Sequence, residues 1–171
     1  ATVAAAREMP DPGAYDAVIV GGGVYIGSWV KDGTDYLERY TSALAGRPVW
    51  LFSSGPLPGS TKESKSDVVD PLENALGPAE GPGSGGRRKL AALSDAIRPR
   101  GHRVLLGAYD PTDPPKGMAE RFVRLMPASK GMLPAGDFRE WPAIEAWARE
   151  IAAEIVAEGA TPVPAAPVPV G

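Results

Sequence analysis

Three short apolar runs, at residues 17–20, 49–52 and 104–106, most constrain the fold of this chain. Each run is continuous rather than alternating with polar residues. Strands that are apolar on both faces are typical of a parallel sheet covered on both sides, because a strand with one wet face would alternate. Between the first two runs, apolar residues recur at helical spacing. We therefore predict an α/β fold: an open parallel sheet with helices on both faces.

The clearest predicted helix comes near the end of the chain. Pro142 suits a first helical turn, Ile144, Trp147 and Ile151 share one stripe, and Gly159 ends the pattern. Such a helix is expected to pack its apolar stripe on one face of the sheet.

Two segments are too rich in turn-forming residues to belong to the core. Residues 57–89 contain many Gly, Pro and Ser and predict a long flexible loop. Residues 160–171 are Pro-rich and predict a disordered tail. The folded domain is therefore expected to span residues 1–159.

Composition excludes several classes of function. The 171 residues carry a formal net charge of -3, which gives no field to hold a nucleic acid. No apolar run approaches the roughly 18–20 residues of a membrane span, so we predict a soluble, cytoplasmic protein. With no Cys and one His, disulfides and thiolate clusters are excluded and a His-based metal site is not expected. Redox chemistry would belong to a bound organic cofactor.

The segment after the first predicted strand is the first candidate site. Its glycines would let a ligand approach backbone amides at the start of the following helix. Tyr25 and Trp29 add flat faces on which a planar ring could stack, although both could instead pack under the helix. The candidate residues of this segment are Gly22, Gly23, Val24, Tyr25, Ile26, Gly27 and Trp29.

The segment after the second predicted strand is the other candidate site. It offers hydroxyl groups and backbone amides beside a turn, in residues Ser53, Ser54, Gly55 and Pro56. Parallel strands end at the same edge of a sheet, so the two segments are expected to bracket one ligand.

Two enzyme classes fit the residues poorly. The dinucleotide-binding pattern G-x-G-x-x-G fails because Ile26 occupies its last glycine position, and no carboxylate follows Phe52 to bind a ribose. The hydrolase pattern G-x-S-x-G is absent, and His102 is expected at the opposite end of the sheet from the site. A basic stretch at residues 87–103 could dock an acidic partner or could be a solvated surface.

Residues 15–31 and 47–56 resemble the flavodoxin-domain family that includes menaquinone-dependent protoporphyrinogen oxidase. Residues 136–141 and 144–148 are similar to the last-helix signature of that family's actinobacterial members. The resemblance implies a flavodoxin-like sheet with strand order 2-1-3-4-5. It also implies FMN as cofactor, with its ring between the two candidate segments, and a redox partner protein or a quinone as partner.

The resemblance also implies a difference from the family. The family's first strand, whose loop holds the FMN phosphate, would precede residue 1, so we expect this strand to be missing. In the family order it lies beside the strand at residues 17–20, whose edge would then be bare and could drive association into a homo-oligomer.

Two functions remain open at this stage. The first is an FMN-binding electron-transfer protein, with protoporphyrinogen oxidase-like activity as the finer expectation. The alternative is a flavin-free α/β scaffold or fragment that binds a partner.

Overall fold

The computed structural model describes residues 1–25, 28–55, 84–110, 112 and 135–159. The strands are β1 (Val18–Tyr25), β2 (Ser28–Trp29), β3 (Val49–Ser54), β4 (Gly101–Leu105), β5 (Ala108–Tyr109) and β6 (Gly136–Asp137). The helices are α1 (Lys31–Arg39), α2 (Thr41–Ala45), α3 (Ser84–Ile97) and α4 (Trp141–Ala157), preceded by 3-10 turns at Ala6–Glu8 and Pro12–Ala14.

The main sheet has the strand order β2-β1-β3-β4. Strands β1, β3 and β4 are parallel, and β2 is a short antiparallel strand that folds back on the end of β1. The three long strands correspond to the three apolar runs, so the α/β prediction is confirmed. Strands β5 and β6 form a separate antiparallel pair beyond the end of β4.

Helices cover both faces of the sheet, as the unbroken apolar runs predict. On one face, side chains of α1, α2 and α3 pack on β1 and β3, and their fully buried members include Leu37, Leu44, Leu51, Leu90 and Ile97. On the other face, Trp147 and Ile151 of α4 pack on Trp50 of β3. Burying leucine-sized side chains contributes about 1.5–3 kcal/mol each. The packing of the helices on both faces of the sheet therefore stabilises the fold.

The run of three glycines is strand rather than the loop expected from the sequence. Gly21, Gly22 and Gly23 continue β1, and α1 begins only at Lys31. A Cβ at Gly21 would lie 2.0 Å from the Phe52 ring, and a Cβ at Gly22 would lie 2.3 Å from the Trp29 ring. The two rings fill the space that side chains would take, so these glycines are compatible with a strand.

Helix α3 begins at Ser84, inside the segment predicted to be a loop. Residues 84–89 are therefore helical, because Leu90 and Ile97 anchor a helix that extends back over the glycines. The rest of that predicted loop, and the predicted tail at 160–171, lie outside the described residues. None of the helices in the described part of the chain combines the length and apolar character needed to cross a lipid bilayer.

One edge of the main sheet is only partly paired in the described residues. Strand β2 reaches only Val24 and Tyr25 of β1. The Val18 amide donates to the Pro48 carbonyl at 3.0 Å, so the backbone groups of the next residue, Ile19, face away from β3. The Ile19 side chain is 48% exposed.

Candidate functional site

The two predicted site segments lie side by side at the carboxyl edge of the sheet. In the parallel register, Gly22 pairs with Ser53 and Gly23 pairs with Ser54. The side chains of Ser53 and Ser54 point to opposite faces, because successive residues of a strand alternate. Only part of the predicted set therefore faces any one side.

Beyond the ends of the strands, two glycines allow the backbones to approach closely. A Cβ at Gly55 would lie 3.1 Å from the Val24 carbonyl oxygen, and Gly55 has a left-handed φ of +128° that L side chains rarely adopt. A Cβ at Gly107, which follows β4, would lie 3.3 Å from the Gly55 Cα. The ends of β1, β3 and β4 thus meet in an edge where backbone groups lie close together, with little side-chain cover from the described residues.

Trp29 lies in the core rather than at the rim. Its side chain is 4% exposed, and its ring lies against Gly22. The indole Nε1–H donates to the Ser53 hydroxyl at 2.7 Å. The geometry therefore matches packing under the helices, the second of the two roles considered for this residue.

Ser53 is fully buried, and its hydroxyl lies 2.9 Å from Nε2 of His102. The expectation that His102 lies far from the site is wrong. It lies on β4 opposite Leu51, and the parallel sheet brings it to the same face as Ser53. The pair does not form a hydrolase nucleophile, because a side chain with no exposed surface does not reach a substrate.

Other predicted site residues are described in part. Tyr25 pairs through its backbone with Ser28, and its side chain lies outside the described part of the structure. Ile26, Gly27 and Pro56 lie outside the described residues. These residues stay predictions of the sequence.

The sequence analysis missed two residues that shape this edge. Gly107 follows the third apolar run just as Gly21 and Gly55 follow the first two, so its position was a usable signal. His102 had no such signal, because its contact with Ser53 depends on the register of β3 and β4.

The segment similar to the family's last-helix signature lies next to this edge. The Phe138 amide donates to the Gly107 carbonyl at 3.1 Å. The Arg139 guanidinium donates to both carboxylate oxygens of Asp137, at 2.8 and 2.5 Å. These hydrogen bonds lower the pKa of Asp137 to about 2, so it stays ionised under ordinary conditions.

Three of the six basic residues at 87–103 form ion pairs with glutamates. Each of the following pairs joins a basic residue to a glutamate of another element: Lys89 with Glu38 at 2.9 Å, Arg100 with Glu158 at 2.5 Å, and Arg103 with Glu150 at 2.9 Å. Exposed pairs of this kind contribute about 0–1 kcal/mol each. The surface around Lys89, Arg100 and Arg103 therefore carries both charges.

A small cavity of about 130 Å³ lies between the end of β4 and the start of α4. Arg103, Leu105, Glu140 and Ile144 are among its lining residues. Pockets that enclose a cofactor-sized ligand usually measure about 300–1,000 Å³. This cavity is too small to enclose a flavin.

Comparison with known proteins gives one match. Residues 1–78 match the family model described as the flavodoxin domain. No curated protein and no solved structure matches the chain. The matched region contains β1, β2, α1, α2 and β3, so the chain is similar to the flavodoxin domain over this part of its length.

The carboxyl edge fits the polar rim of a flavin ring. The rim of such a ring carries carbonyl and N–H groups, which need backbone partners or hydroxyl groups. Ser54 offers a half-buried hydroxyl, and Gly55 leaves the backbone accessible. The side chains of Trp29 and Ser53 are buried, so they do not offer atoms to a ligand at this edge.

Proposed function

We propose that this flavodoxin-domain protein binds FMN at the carboxyl edge of its sheet and transfers electrons. The observation that carries the proposal is the pairing of Gly23 with Ser54 at the ends of two parallel strands, inside the region that matches the flavodoxin domain. In open α/β sheets, ligands bind beyond the carboxyl ends of the strands.

The chain's own residues would bind and orient the ring. The backbone of Val24 and Gly55 and the Ser54 hydroxyl would hydrogen-bond its polar rim, with Gly22, Gly23, Tyr25, Ile26, Gly27 and Pro56 completing the proposed site. FMN, when bound, supplies a ring that accepts electrons from one partner and passes them to another. Trp29 and Ser53 would not contact the ring; their buried hydrogen bond would help to hold the strands that form the site.

Titration of the full chain with FMN tests the proposal. We expect saturable quenching of flavin fluorescence and a visible flavin absorption spectrum that persists after gel filtration. Ser54→Ala removes a hydroxyl donor, and Gly55→Ala places a Cβ 3.1 Å from the Val24 oxygen at a strained φ. Each is expected to weaken FMN binding about tenfold, equal to about 1.4 kcal/mol.

Gly46→Ala is the matched control for the glycine variant. A Cβ there would meet nothing nearer than 3.9 Å, and the residue lies at the end of α2. FMN affinity should stay unchanged. A colourless wild-type protein that rejects added FMN would contradict the proposal.

The finer proposal concerns the reaction. The family resemblance extends to menaquinone-dependent protoporphyrinogen oxidase, so the substrate would be a reduced tetrapyrrole and the acceptor a quinone or a redox partner protein. The FMN-loaded protein is expected to oxidise protoporphyrinogen only when a quinone is present. If the bound FMN can be reduced but the protein does not oxidise the tetrapyrrole, the electron-transfer proposal stands and the tetrapyrrole substrate is contradicted.

The second candidate, a flavin-free scaffold that binds a partner, has one observation in its favour. The Trp29 ring, an expected stacking face, is buried in the core. The FMN titration separates the two functions, since a scaffold would bind no flavin.

A further inference from the structure

Three side chains, the buried Trp29 and Ser53 and the half-buried His102, link three strands beneath the carboxyl edge. Trp29 of β2 donates its indole N–H to the Ser53 hydroxyl of β3 at 2.7 Å. The same hydroxyl lies 2.9 Å from Nε2 of His102 on β4. The Trp29 and His102 rings meet edge to face, with centroids 6.0 Å apart.

The hairpin that carries Trp29 is held by a short ladder, by the Trp29 ring and by the start of α3, where Gly86 lies against Ser28. Its ladder contains two residue pairs, Val24 with Trp29 and Tyr25 with Ser28, and the Val30 amide adds a bond to the Gly23 carbonyl at 2.8 Å. A two-stranded hairpin is marginally stable at best in water, so its orientation depends on packing. The Trp29 ring, which lies against Gly22 and bonds to Ser53, is the contact that connects this hairpin to β3.

The Ser53 hydroxyl can join both neighbours at once. It accepts the indole N–H with one lone pair, and it can donate its own proton to Nε2 of His102 or accept a proton from it, according to the tautomer of the ring. A buried hydroxyl with both partners in place has a defined direction, and losing one partner leaves a buried polar group unsatisfied.

We propose that Ser53 is a positioning residue of the FMN site, an inference that rests on the proposed function. Through Trp29 it holds Val24 and Tyr25 beside Ser54 and Gly55, where the rim of the ring would bind. Ser53 itself contacts no ligand. Its effect on flavin binding therefore passes through the indole hydrogen bond.

Two variants of the full chain break this hydrogen bond from opposite sides. Ser53→Ala removes the acceptor, and Trp29→Phe keeps an aromatic ring over Gly22 but removes the donor. Each is expected to raise the dissociation constant for FMN about tenfold. The double variant should bind no more weakly than the weaker of the single variants, because both changes break the same bond.

Tyr40→Phe is the matched control. The Tyr40 hydroxyl donates to the Met9 carbonyl at 2.9 Å and packs on the same core, away from the hairpin. This variant also loses a hydrogen bond, so it reports general destabilisation, and its FMN affinity should equal that of the wild type.

A second readout needs no flavin. Amide hydrogen exchange at Val30, whose amide donates to the Gly23 carbonyl across the hairpin, is expected to be at least tenfold faster in Ser53→Ala and Trp29→Phe than in Tyr40→Phe. If Ser53→Ala does not fold, FMN affinity and amide exchange are both measured on Trp29→Phe alone.

The outcomes separate this inference from the proposed function. If the wild type binds FMN and the two variants bind it equally well, the positioning role is overturned and the proposed function stands. Equal amide exchange in all variants overturns the positioning role as well. If the wild type binds no FMN, the proposed function fails and the role toward flavin fails with it.

Discussion

At the scale of residues, the glycines of β1 are best understood from the rings that cover them. Gly21 lies against Phe52 and Gly22 against Trp29, so each glycine makes room for an aromatic side chain from a neighbouring strand. A glycine in a strand loses packing and costs conformational entropy. The aromatic rings offset this loss by burying apolar surface over the same backbone.

Gly22→Ala tests this complementarity. The new Cβ would lie 2.3 Å from the buried Trp29 ring, so the ring must shift. We expect the free energy of unfolding to fall by about 2 kcal/mol or more, as for an overpacked core. Denaturant unfolding measures this change, provided that the slope of free energy against denaturant concentration is the same in both proteins.

Gly101→Ala is the control for this substitution. Gly101 is also a strand glycine, and its Cβ would meet the Trp50 ring at 3.4 Å, an ordinary contact. If Gly22→Ala lowers the free energy of unfolding no more than Gly101→Ala does, the Trp29 ring can move aside without cost and the prediction is contradicted.

At the scale of elements, the start of α3 is fitted against β2. A Cβ at Gly86 would lie 1.8 Å from the Ser28 hydroxyl oxygen and 2.5 Å from the Ser28 Cβ, whereas one at the adjacent Gly85 would meet nothing within 4 Å. The close approach of helix and hairpin therefore depends on one of two neighbouring glycines. This contact adds a second support for the hairpin beside the Trp29 anchor.

The two neighbouring glycines give a matched pair of variants. Gly86→Ala is expected to lower the free energy of unfolding by about 1–3 kcal/mol, because helix and hairpin must separate. Gly85→Ala should raise it by up to about 1 kcal/mol, since alanine is the better helix former. Thermal unfolding of both variants measures the difference, and equal effects would contradict the contact.

The element boundaries show how far the sequence could be read. The apolar runs predicted β1, β3 and β4, and the stripe around Trp147 predicted α4, because burial repeats with the period of each element. Local composition was misleading at residues 21–23 and 84–89. There the glycines suggested loops, whereas contacts with distant rings and side chains favour strand and helix.

At the scale of the whole molecule, the outer edge of β1 combines incomplete strand pairing with an exposed apolar side chain in the described residues. Ile19 is half-exposed on this edge, and β2 pairs with only the last two residues of the strand. Unpaired strand edges with apolar side chains favour pairing with another strand. We therefore expect the protein to associate with itself at high concentration.

Ile19→Lys tests this expectation. A lysine at an exposed edge position should leave the free energy of unfolding within about 0.5 kcal/mol of the wild type. It should reduce association, because charged side chains oppose edge-to-edge pairing. Sedimentation over a range of concentrations measures both proteins, and a wild type that stays monomeric throughout would contradict association through this edge.

The sequence by itself determined the class of fold and predicted that the two candidate segments share one edge of the sheet, since buried strands and their following glycines are local patterns. It also predicted that Gly23, Ser54 and Gly55 lie close together, as the structure shows. Only the tertiary structure decided that Trp29 and Ser53 face inward and that His102 joins them. Those contacts depend on strand register and on which face each side chain takes, and neither is encoded in a local stretch of residues.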